Sequence, residues 1–119
     1  VGNAGAGVFV EPQGSRKDWT GKSRLLLSVR APKGAAPFGK LQVYAISDAY
    51  RCTCDWTRDP PKMMDGEWHE LRLPLGRRDC QAQGGGACAL DLADVNQIGI
   101  KLFDTAAPTT LYVDHLALD

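Results

Sequence analysis

Asn96-Gln97-Ile98-Gly99-Ile100-Lys101-Leu102-Phe103 is the stretch from which the fold class is read most directly. Ile98, Ile100 and Leu102 fall on one side of an extended chain, and Gln97, Gly99 and Lys101 on the other. A period of two with one apolar side is the pattern of a half-buried β-strand. Working outward, residues 40–47 repeat it, with Leu41, Val43 and Ala45 opposite Gln42, Tyr44 and Ile46. Residues 24–30 set Leu25, Leu27 and Val29 against Leu26, Ser28 and Arg30. Residues 7–11 (around Val8-Phe9-Val10), 67–75 and 110–118 complete six expected strands. The strand at 67–75 closes at Pro74, which cannot donate to a ladder. In the last strand Leu111 and Val113 oppose Tyr112 and Asp114. Turn chemistry separates these runs, as at Pro12-Gln13-Gly14-Ser15 and Ala106-Ala107-Pro108. Only residues 89–95 suggest a helical turn, capped by Asp91. The expected fold is therefore all-β, an antiparallel two-sheet β-sandwich.

The 119 residues fit one domain spanning 1–119, and 44% hydrophobic residues suffice for one core and exclude disorder. Fourteen basic and fourteen acidic side chains cancel, so charge gives no reason to expect nucleic acid or an anionic membrane as partner. No apolar run reaches the length of a membrane span. The start, Val1-Gly2-Asn3-Ala4-Gly5, lacks the basic and apolar regions of a signal peptide. The expectation is a piece of a larger secreted protein, or a chain whose signal has been removed.

Cys52, Cys54, Cys80 and Cys88 lie in two loop-like stretches, 48–65 and 76–87 with its flank. An even count in a small domain points to two disulfides and an oxidising, extracellular location. Three pairings exist, and a Cys52–Cys54 bond is disfavoured because so short a loop strains disulfide geometry. A four-thiolate zinc site is the rival reading, but Cys-x-Cys and Cys-x7-Cys differ from the usual two-residue knuckles.

Four segments in order carry a family resemblance. Asp18-Trp19-Thr20 precedes Leu25-Leu26-Leu27-Ser28-Val29-Arg30. Gly66-Glu67-Trp68-His69-Glu70-Leu71-Arg72-Leu73-Pro74-Leu75 follows, then Leu92-Ala93-Asp94-Val95-Asn96-Gln97-Ile98-Gly99-Ile100, and last Leu111-Tyr112-Val113-Asp114-His115-Leu116-Ala117-Leu118. From Asp18 to Leu118 the chain resembles galactose-binding-like jelly-roll modules, many of which bind carbohydrate beside a catalytic domain. The resemblance implies a jelly roll and polysaccharide as the ligand. Such modules usually place about two strands before the Asp-Trp motif, one pairing with the last strand, whereas only seventeen residues precede Asp18 here. Relatives often hold calcium with an early acid and a late Asp. Asp114 matches the late position, and Glu11 is the sole acid before Asp18.

Sugar recognition needs a flat apolar face for pyranose C–H groups and planar polar groups for hydroxyls. Side chains alternating with the core supply both: Arg30, Gln42, Tyr44, Glu70, Arg72, Gln97, Lys101 and Tyr112. A plain solvated sheet face is the competing explanation for the same residues. Trp56, in the cysteine-bearing loop, is the expected ring platform, unless it covers the disulfides, with Tyr50 a weaker candidate. Trp19 and Trp68 read as packing residues.

Catalysis finds no support. Glu67/Glu70 and Asp91/Asp94 are carboxylate pairs outside any glycosidase signature, and no Gly-x-Ser-x-Gly elbow occurs. His69 and His115 are too few for a histidine-based zinc site, and Gly84-Gly85-Gly86 lacks the context of a phosphate loop. The leading expectation is a noncatalytic module that targets a secreted enzyme to a glucan, mannan or xylan. The alternative is a structural or protein-interaction β-sandwich of a secreted protein.

Overall fold

The computed structural model describes residues 6–34, 36, 38–58, 64–103 and 109–119. The alternating runs become strands in two antiparallel layers. The larger sheet contains β1 (Ala6–Val10), β3 (Lys40–Ser47), β4 (Cys52–Arg58), β6 (Cys80–Ala82), β7 (Ala87–Cys88) and β8 (Val95–Phe103). Its order is β1-β8-β3-β4-β6-β7. The smaller sheet contains β2 (Arg24–Arg30), β5 (His69–Pro74) and β9 (Tyr112–Leu118), in the order β5-β2-β9. A short 3-10 turn, Gly14–Lys17, joins β1 to the region of Trp19.

The core lies between the layers. Leu41, Val43 and Ala45 of β3 and Val95 and Ile98 of β8 meet Leu25, Leu27 and Val29 of β2 and Leu71 and Leu73 of β5. Trp19 is buried as expected, its indole N–H donating to the Arg16 carbonyl at 3.1 Å. Trp68 is instead half exposed, because it precedes β5 rather than lying within it. Its neighbour His69 sits on the inner side of β5, opposite Val29, and its Nε2 lies 2.8 Å from the Asp65 carboxylate.

Two expectations need correction. Residues 48–65 are not one long loop, for β4 occupies their middle. There Cys52, Cys54 and Trp56 point inward while Thr53, Asp55 and Thr57 point outward. Loop 76–87 likewise contains β6 and reaches β7. The single turn expected within residues 89–95 is present. Asp91 closes a turn, its carbonyl accepting from the Asp94 N–H and its carboxylate from the Ala93 N–H. The turn expected at 106–108 lies outside the described residues.

The cysteines form two disulfides, Cys52–Cys88 and Cys54–Cys80. Cys80 and Cys88 are cross-strand partners in the β6–β7 hairpin, while Cys52 and Cys54 share the inner face of β4. Both links therefore tie one strand to one small hairpin. By loop-closure entropy each contributes about 3–4 kcal/mol taken alone, less in combination because the loops are nested. The double variant Cys54→Ala/Cys80→Ala is expected to lose about 2–4 kcal/mol in urea unfolding, with the Cys52–Cys88 link retained.

Candidate functional site

Alternation decides which side chains leave the core, and register decides which of them meet. The expected site residues divide between opposite surfaces of the sandwich. Gln42, Tyr44, Gln97 and Lys101 lie on the outer face of the larger sheet. Arg30, Glu70, Arg72 and Tyr112 lie on the outer face of the smaller one. The two groups cannot form one site.

On the smaller sheet Glu70 and Arg72 pair with each other, while the Nε of Arg30 is buried without a hydrogen-bond partner. Arg72 Nε donates to Glu70 Oε1 at 2.7 Å, and the Arg30 guanidinium sits 5.8 Å from the Tyr112 ring centre. Asp114 shares this face, opposite Ser28. Its Oδ1 accepts from the His115 N–H, and its Oδ2 lies 3.4 Å from His115 Nδ1. Calcium takes six to eight oxygen ligands. Glu11 accepts instead from the Tyr50 hydroxyl, and among the described residues Asp114 belongs to no cluster of three metal-ligating groups. The one such cluster among the described residues, Cys52, Cys54 and Cys80, is consumed by disulfides.

Trp56 is the main correction. The indole is 4% exposed and packs on the inner face of β4, so it offers no platform to a ligand. Its Nε1–H donates to the Pro74 carbonyl at 2.9 Å, joining the larger sheet to the end of β5. Arg77 covers it, with the guanidinium carbon 5.6 Å from the ring centre and Nε bound to Asp79 at 2.6 Å. Of the two roles considered for this tryptophan, the structure supports the packing one.

The larger sheet carries a more coherent surface. Cross-strand partners place Phe9, Gly99, Tyr44 and Asp55 in one row over β1, β8, β3 and β4. A second row holds Gly7, Lys101, Gln42 and Thr57. A third includes Gln97, Ile46 and Thr53. The Tyr44 ring lies directly over Gly99, where a Cβ would come within 2.2 Å of it. A side chain at position 99 would therefore displace the ring. Lys101 extends over the same ring, its Nζ 5.3 Å from the centre, and burial pushes the Tyr44 phenol pKa up. Gln42 Nε2 donates to Asp55 Oδ2 at 2.9 Å. A shallow hollow of about 290 Å³ between Lys40, Gln42, Thr57 and Phe103 continues this face. Phe9, 57% exposed, is placed on this face by its register with Gly99, a position that the uniformly apolar run Val8-Phe9-Val10 does not mark as outward.

Tyr50 lies apart, at one end of the sandwich. Asp48, Ala49 and Tyr50 all have φ between 53° and 65°, three consecutive side-chain-bearing residues in the left-handed region. Each costs about 1–2 kcal/mol there. Their amides are all captured: Asp48 N–H by the Asp94 carbonyl, Ala49 N–H by Asp94 Oδ2 and Tyr50 N–H by Asn96 Oδ1. Lys17 Nζ, 3.1 Å from Asp94 Oδ1, and the Ala49 amide hold the Asp94 carboxyl below its ordinary value. The chain thus supplies an acceptor of its own to each amide of this turn.

The chain matches no protein-family model and no curated protein significantly.

Two measurements test these assignments. Trp56→Ala is expected to lower stability by about 3–5 kcal/mol in chemical unfolding, whereas a surface platform would give almost no change. A depressed carboxylate pKa stabilises the folded state above the ordinary carboxylate range, and that contribution disappears as pH falls through the folded value. Asp94→Asn should therefore be less stable than wild type near neutrality. The gap should narrow as unfolding is followed from about pH 7 to about pH 3.

Proposed function

We propose that the outer face of the larger sheet binds a polysaccharide chain without cleaving it, as a targeting module of a secreted enzyme. The observation that carries this reading is the Tyr44 ring laid over Gly99, in one row with exposed Phe9. Two aromatic side chains on a sheet face suit the C–H side of pyranose rings, and Gln42, Asp55, Gln97 and Lys101 around them suit hydroxyls. Gly99 has a role here, since only a residue without a Cβ lets the ring rest on the backbone. A sheet face suits an extended chain better than a buried monosaccharide. The resemblance to galactose-binding-like jelly rolls supports the same reading at the level of fold analogy. Two disulfides support an oxidising, extracellular setting. No helix among the described residues is long and apolar enough to cross a membrane.

Affinity electrophoresis against soluble glucans, mannans and xylans tests the proposal. One of these polymers should retard the protein. Tyr44→Ala and Phe9→Ala should each weaken retention about tenfold, at ~1–1.5 kcal/mol per stacking contact. Gly99→Ala should act in the same direction by displacing the Tyr44 ring, with the circular dichroism spectrum unchanged. Arg72→Ala, on the opposite surface, should have no effect. No retardation by any polymer would overturn the reading, as would equal sensitivity at Arg72.

A further inference from the structure

The outer face of the smaller sheet lies across the sandwich from Tyr44, and one of its rows is chemically unfinished. Register sets Arg30 opposite Tyr112 of β9. On the other side of β2, Val29 pairs with His69 of β5. Trp68 is the next residue past that pair, so alternation carries it to the outer side, beside Arg30. The row therefore reads Trp68, Arg30, Tyr112: a cation between two aromatic side chains that are 48% and 50% exposed.

Arg30 enters no ion pair among the described residues, and its Nε is buried without an acceptor. The Tyr112 ring, 5.8 Å from the guanidinium carbon, meets part of the charge but not this N–H. A buried donor left unmet is costly, and folded proteins nearly always supply a partner. The carboxylates nearest in register, Glu70 and Asp114, sit one row away on either side of Ser28. Glu70 is engaged by Arg72 and Asp114 by the His115 N–H, so neither serves Arg30. Arg30 as a whole is only partly buried, so its guanidinium can be reached from outside.

These features specify a ligand. A carboxylate meets an arginine edge-on, its two oxygens accepting from two N–H groups at once. Aromatic rings on both sides suit the flat C–H faces of pyranoses. Trp68 and Tyr112 stand two strand spacings apart, ~10 Å, about the reach of two linked pyranose units. Glu70 and Asp114 keep oxygens that can accept from hydroxyls. A sugar chain bearing carboxylates answers all of these. An acidic peptide brings its charges against Glu70 and Asp114 with no hydroxyls to offer them.

We propose that this face is an independent carbohydrate site selective for uronate-bearing polysaccharide, with Arg30 anchoring the carboxylate and Trp68 and Tyr112 stacking on neighbouring rings. It shares no residue with the Tyr44 surface.

Affinity electrophoresis in polygalacturonate, in its methyl ester and in polyglutamate tests this. Polygalacturonate should retard the protein, and the other two should not. Arg30→Gln and Trp68→Ala should each weaken retention at least about tenfold, while Tyr44→Ala leaves it unchanged. In the wild-type protein the Arg30 Nε–H proton resonance should move downfield on adding oligogalacturonate, a readout that needs no variant to fold. An unmoved resonance would overturn the proposal, as would the absence of retardation by polygalacturonate. Equal retardation by polyglutamate would also overturn it, marking the face as a surface for acidic peptide. The neutral polymers that test the Tyr44 surface play no part here, so either reading can fail alone.

Discussion

Three strands cannot cover six, and the molecule is organised around that mismatch. The small sheet buries the middle of the large one, where Leu25, Leu27 and Val29 meet Leu41, Val43 and Ala45. Beyond that contact each flank needs its own solution. On the β4 side the solution is covalent and aromatic: two cystines, the Trp56 indole bonded to Pro74, and Arg77 over the ring. On the β1 side no comparable closure exists among the described residues. Valines that alternation assigns to the interior are left facing solvent. Burial worth about 25 cal/mol per Å² of apolar surface is forgone there.

Much of this was legible in the sequence. Alternation located β2, β3 and β8 almost to the residue, because their inner positions are mostly Leu, Ile and Val. β4 escaped for a physical reason. Its inner positions are Cys52, Cys54 and Trp56, without the Leu, Ile or Val that mark the other strands. Counted as apolar, the cystines make Cys-Thr-Cys-Asp-Trp-Thr a regular period of two. β6 and β7 are too short for any period to show. The disulfide pairing was out of reach as well, since it depends on Cys80 and Cys88 being neighbours across a hairpin.

The candidate surface was only half legible. Alternation told inside from outside for Gln42, Tyr44, Arg72 and Lys101, but could not tell which sheet each strand joins. That assignment requires register, and register separated one expected site into two faces. The reading of Trp56 as a platform rested on its loop, and the loop turned out to be a strand. Phe9 was hidden by the opposite effect: Val8-Phe9-Val10 is apolar on both sides, so composition gave no contrast between them.

The arrangement of the cystines has one more implication. Cys80 is fastened to Cys54 and Cys88 to Cys52, so the two arms of the β6–β7 hairpin are anchored to β4 independently. The tip between them contains Gly84, Gly85 and Gly86, all exposed and at positive φ, the sort of segment that proteases enter readily. Severing the peptide chain at that tip would release nothing. Both stumps would remain bolted to the same strand, and the scission would become visible only after reduction.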